Sequence, residues 1–150
     1  MPTLAPSEML TVLNLRRQHC RNLLDLSRRQ RGLIDSSEYS QLLTILGQKQ
    51  RLLGRLDELS KQHPDLRAQW KTLRDTAEYD LRDDCEHVLA ETEAILADLL
   101  SEEQQSTDHL ARRRDDTQKQ LQAVSQGARV HDAYRESLAP STHRHLDVGQ

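Results

Sequence analysis

The sequence predicts an all-α protein, an elongated antiparallel long-helix hairpin or three-helix bundle with coiled-coil-like packing and a mobile C-terminal segment. Three observations predict it. Leu occupies 26 of the 150 positions, while Val and Ile together occupy eight and aromatics make up 3% with no Phe. Leu, Arg, Gln, Glu and Ala favour helix, whereas strands draw on β-branched and aromatic residues. Five Gly and four Pro leave few turns, so the helices are few and long. Hydrophobic residues reach only 35% against 30% charged, less apolar surface than a globule of this length usually carries. A single domain over residues 1–138 is expected, followed by a flexible tail at 139–150.

The first helix is expected over about 7–34, entered through Pro6 with Ser7 as N-cap. Met9, Leu10, Val12, Leu13, Cys20, Leu23, Leu24, Leu26, Leu33 and Ile34 recur at helical spacing and draw one stripe. Arg16, Arg17, Arg21, Arg28, Arg29 and Arg31 take the other face. Asp35 and Glu38 have capping-box spacing, with Asp replacing Ser or Thr.

The second helix is expected over about 37–74. Its heptad series is Leu42, Ile45, Lys49, Leu52, Leu56, Leu59, His63, Leu66, Trp70, Leu73 and Ala77. The three-and-four spacing passes through Pro64 without a slip. Proline removes a helical hydrogen bond and crowds the preceding turn, so a kink or brief break is expected there with no change of direction. Trp70 and Leu73 share the stripe and read as anchors.

Asp75 and Glu78 repeat the capping-box spacing, and a third helix is expected over about 76–126. Leu81, Cys85, Val88, Leu89, Ile95, Leu96, Leu99 and Leu100 stripe its first half. Residues 101–109 contain no apolar side chain. Gly127 reads as a break, with a short helix at 128–138.

Charge is unevenly placed. Residues 1–31 carry six Arg and two acids, and residues 75–109 carry twelve acids and one Arg. Antiparallel packing of the first and third helices would bring these segments together. The overall charge is −3, which disfavours nucleic acid because phosphate is repelled. No apolar run approaches the roughly 20 residues of a membrane span, and the N-terminus lacks the basic and apolar regions of a signal peptide. Cys20 and Cys85 form no disulfide framework. A cytoplasmic protein is expected.

No catalytic residues, metal or cofactor are predicted. Asp83 and His87 lie one helical turn apart, but a metal site needs three or four ligands. His143 and His145 lie in the tail. His63 falls at a core heptad position beside Pro64 and reads as a half-buried polar residue. The five Gly form no phosphate loop, and no nucleophile motif appears. A long helical hairpin with an under-filled face is suited instead to receiving the apolar face of another helix. The weak stripe after Leu100 can also serve as a dimer seam or remain a solvated stalk.

Three stretches resemble the FlgN family of flagellar export chaperones. Leu23 to Ile34 is similar to the family's first-helix run of Leu, Arg and Gln. Tyr39 to Leu59, with Leu42-Leu43 and Gln48-Lys49-Gln50-Arg51-Leu52-Leu53, is similar to the second-helix repeat. Gly127-Ala128-Arg129, Ala133-Tyr134, Pro140 and Leu146-Asp147 resemble the C-terminal pattern. The sequence departs at Thr142-His143-Arg144-His145, where the family's end is more apolar. The resemblance implies a non-enzymatic cytoplasmic chaperone that masks the C-terminal amphipathic helices of hook-associated proteins and carries them to the export gate. By position it implies client binding at Leu110, Leu121, Val124 and Val130, and gate docking at Tyr134. A self-associating coiled-coil adaptor without a flagellar client is the alternative reading, with a homodimer as its assembly.

Overall fold

A computed structural model describes residues 4–138, with side chains through Glu136. They form α1 (Pro6–Leu33), α2 (Tyr39–Gln62), α3 (Leu66–Leu73), a 3-10 turn over Arg74–Thr76, and α4 (Tyr79–Leu138). No strand occurs among the described residues. The chain divides into two units, residues 1–108 and 109–150.

The first unit is a three-helix bundle. α1 packs on α2 with opposite direction, since Gln30 meets Lys49 while Leu23 and Leu26 share a cluster with Ile45 and Leu52. After the break at Pro64, α3 extends the same course, and Trp70 packs with Met9 and Leu13. All eleven positions of the predicted heptad from Leu42 to Ala77 are buried or half-buried. The strict three-and-four spacing holds them on one face across the interruption.

The break itself is local. His63 ends α2 with its N–H on the Leu59 carbonyl, and Asp65 takes a left-handed φ of 56° before α3 begins. Asp tolerates this region better than most residues. Gln69 Nε2 donates to the Pro64 carbonyl at 2.8 Å, tying the turn to α3.

The direction of α4 differs from the expectation. α1 and α4 run parallel: Arg17 pairs with Glu91 and Arg31 with Glu102, so partner numbers rise together. Charge attraction sets proximity and has no preferred direction. The connection decides it, because α2 and α3 together return the chain to its starting end before α4 sets out.

Helix ends also differ from the sequence reading. Ala5, not Ser7, is the N-cap of α1, with Pro6 in the first turn. The capping box at Asp35 and Glu38 does not form. Glu38 is the N-cap of α2 without a side-chain cap, and Ser36 Oγ instead donates to the Leu33 carbonyl at 2.9 Å. At Asp75–Glu78 a 3-10 turn intervenes, and the Glu78 carbonyl accepts from the Arg82 N–H at 2.8 Å. Gly127 does not break α4, and the expected short helix at 128–138 is its continuation. An internal glycine costs about 1 kcal/mol against alanine, and no proline follows until Pro140. Within the first-half stripe, Leu100 is exposed, while Thr92 is buried with its Oγ1 donating to the Val88 carbonyl. The tail expected at 139–150, with His143 and His145, lies outside the described residues.

Gly47 and Gly54 sit inside α2, and a Cβ added at either meets nothing within 4 Å. The expected result is that Gly47→Ala raises unfolding free energy by roughly 0.5–1 kcal/mol, seen as a higher urea midpoint at unchanged slope.

Candidate partner-binding site

The bundle's apolar core comes in two clusters. One gathers Met9, Leu13, Trp70, Ala77, Cys85 and Val88, and the other Leu23, Leu26, Ile45 and Leu52. Both cysteines are buried free thiols, and burial pushes each thiol above its ordinary value. Neither is poised as a nucleophile, which needs the thiolate.

Within the second cluster the interior also carries a polar layer, with Lys49 between Ile45 and Leu52 and Gln30 between Leu26 and Leu33. Ser27, Gln30, Lys49, Glu102 and Ser106 are buried. Lys49 Nζ donates to Gln30 Oε1 at 2.7 Å and also pairs with Glu103 Oε1, which accepts from Ser27 Oγ at 2.6 Å. Arg31 grips both oxygens of Glu102, at 2.7 and 3.1 Å. Nearer the other end, Glu91 takes Arg17 at 2.6 Å and Arg21 at 2.9 Å. Hydrogen bonding from Arg17 holds the Glu91 carboxyl below its ordinary value, helped by the Arg17, Arg21 and His87 charges against partial burial. Burial opposes ionisation of Glu103, but the Lys49 and Ser27 hydrogen bonds and the ammonium charge outweigh it, and its pKa is also lowered.

A cavity of about 380 Å³ opens beside the Pro64 break. Leu56, Leu59, Leu66, Leu89, Leu96 and Cys20 supply its apolar lining, and His63 contributes there as well. Asp83 and His87 are exposed on α4, where His87 Nε2 lies 3.2 Å from Glu91 Oε1. No group of three potential metal ligands occurs among the described residues. No described helix is long and apolar enough to cross a membrane.

The second unit holds the residues that the sequence singled out for partners. Leu110, Leu121, Val124, Val130 and Tyr134 are all exposed on α4, Leu121 at 64% and Val124 at 71%. At the helical repeat, Leu110, Leu121 and Val124 fall within an arc of about 60°. Thr117 and Ala128 fill the same arc. Val130 and Tyr134 lie outside this arc, about 150° and about 110° from its centre. The five residues therefore form two surfaces.

α2 carries an apolar face that the sequence reading missed. Tyr39, Leu43, Leu46 and Leu53 are exposed, beside the buried heptad on the same helix. The doublets Leu42-Leu43, Ile45-Leu46 and Leu52-Leu53 were its signal: in each, one residue is buried or half-buried and the next is exposed.

Comparison with family models, curated proteins and solved structures finds no match.

The lowered carboxyl pKa values have a defined consequence. A depressed folded pKa contributes stability above the unfolded value and loses it as pH falls through the folded one. The bundle is therefore expected to weaken below about pH 4.5, as Glu91 and Glu103 protonate. Lys49→Met removes the ammonium partner of Glu103. The drop in urea midpoint between about pH 7 and about pH 3 should be smaller in this variant than in the parent. An equal drop contradicts the assignment.

Proposed function

We propose that the protein is a non-enzymatic chaperone that receives an amphipathic helix on the α4 arc of Leu110, Leu121 and Val124. The observation that carries this reading is the exposure of these three apolar side chains on one side of a helix. Fully burying a Leu or Val side chain is worth about 1.5–3 kcal/mol. Three such residues supply several kcal/mol, from which the cost of association is subtracted. The result is a complex strong enough to shield an apolar helix and weak enough to release it.

The client class follows from the resemblance to FlgN: the C-terminal amphipathic helix of a hook-associated protein, held in the cytoplasm until delivery to the export gate. The separation of surfaces on α4 supports a division of roles. A client lying on the Leu110–Leu121–Val124 arc is centred about 110° away from Tyr134, which leaves that ring to its side for gate docking. Val130 lies nearly opposite the arc and within about 40° of Tyr134, so it is assigned to the docking surface and removed from the client arc. Tyr suits this task, combining a large apolar ring with a hydroxyl handle.

The test is titration of the C-terminal peptide of a hook-associated subunit into the intact protein by calorimetry. Leu121→Asp and Val124→Asp should each weaken binding at least about tenfold, which is about 1.4 kcal/mol. Both positions are exposed, so helical circular dichroism should not change. Tyr134→Ala should leave peptide affinity unchanged. No binding by the parent, or unchanged binding in both Asp variants, sinks the reading.

A further inference from the structure

We propose that the exposed face of α2 is the seam of a homodimer, in which α2 of a second copy packs antiparallel across a twofold axis at the level of Gln48. Tyr39, Leu43, Leu46 and Leu53 stand 69%, 68%, 38% and 53% exposed. With Gln50 and Asp57 they fall within an arc of about 80°, so one side of α2 from Tyr39 to Asp57 forms a single stripe. Every large side chain in its central part is uncharged, from Tyr39 through Leu53.

The stripe is complementary to itself. A twofold axis joins like surface to like surface, so each contact occurs twice. Centred on Gln48, the antiparallel pairing sets Leu43 against Leu53 of the second copy and Leu46 against Gln50. It sets Tyr39 against Asp57, a hydroxyl donor against a carboxylate acceptor. Residues 35–48 carry Asp35 and Glu38 and no base, while residues 50–62 carry Arg51, Arg55 and Lys61 against Asp57 and Glu58. Arg51 and Arg55 lie off the stripe and Lys61 pairs with Asp57 at 2.9 Å, so the complementarity is one of net charge: antiparallel pairing brings the acidic half level with the weakly basic half, and it also opposes the two helix dipoles.

The glycines point the same way. Gly47 and Gly54 recur seven residues apart along the edge of the stripe, in the helix interior where glycine is disfavoured. Nothing within 4 Å of an added Cβ explains them inside the chain. Small residues at heptad spacing let a second helix approach closely. A seam of one helix face lies at the low end of specific interfaces, so the dimer is expected to be concentration-dependent, with a Kd of the order of tens of micromolar. The seam is independent of the α4 arc proposed for a client.

Sedimentation velocity on the full chain from about 1 µM to about 1 mM tests the proposal. The parent should shift from monomer to dimer, and Leu46→Glu and Leu53→Glu should each raise the Kd at least about tenfold with unchanged helical dichroism. Leu121→Asp should leave the dimer intact. A short bismaleimide should cross-link Gln50→Cys, near the axis, far more efficiently than Ser101→Cys on α4. A parent monomeric throughout overturns the proposal. So does a dimer insensitive to both Glu variants, loss of the dimer in Leu121→Asp, or equal cross-linking at the two sites.

Discussion

Two adjacent glutamates on α4 set the assembly of the bundle. Glu102 turns to α1, where Arg31 holds both its oxygens and Arg28 lies 3.8 Å away. Glu103 bonds Ser27 of α1 and pairs with Lys49 of α2, which in turn reaches back to Gln30. Three helices thus meet at one level through directional bonds. Apolar stripes alone can slide by a heptad at modest cost. A buried lysine cannot, because losing its partners leaves an unpaired charge in a dry setting, which costs several kcal/mol. The polar layer therefore fixes register among the apolar side chains that surround it.

The same layer explains why a chain so poor in apolar residues folds over residues 4–108. The Arg-rich face of α1 has a counterpart in the acidic first part of α4, and the pairing covers much of what apolar contact leaves open. Exposed ion pairs contribute little singly. Here Glu91, Glu102 and Glu103 each take two or more partners, so side chains ordered for one bond serve another. At Glu91 and Glu103 these contacts also hold the carboxyl below its ordinary value.

How much of this was readable in advance depended on the kind of information each feature carries. The heptad from Leu42 to Ala77 was fully legible, since periodicity is a property of the sequence and burial follows it. The break at Pro64 was legible from proline's missing N–H. The direction of α4 was not deduced from charge, because attraction has no sense along an axis. It followed instead from the return path through α2 and α3. Gly127 failed as a stop because a lone glycine taxes a helix without ending it. The missed face of α2 had a signal in its apolar doublets, which place two adjacent faces side by side. A single-stripe template counts one face and discards the other.

That discarded face changes what the apolar shortage means. A chain with few apolar residues that buried every one would be self-sufficient. This chain instead leaves Leu43, Leu46 and Leu53 on α2, and Leu110, Leu121 and Val124 on α4, in contact with water. Scattered single exposures are ordinary. Residues recurring at helical spacing on one side of a helix are not scattered, and they match the geometry of another helix. The two sets differ in a way that bears on use. The α2 stripe lies on a helix fixed in the bundle through Lys49 and carries glycines along its edge, a fit for one partner of fixed shape. The α4 arc is flanked by Arg113 and Arg114 and is filled by small residues such as Thr117 and Ala128, a surface tolerant of different apolar sequences. On the two proposals above, reversible self-pairing falls to the first and client exchange to the second.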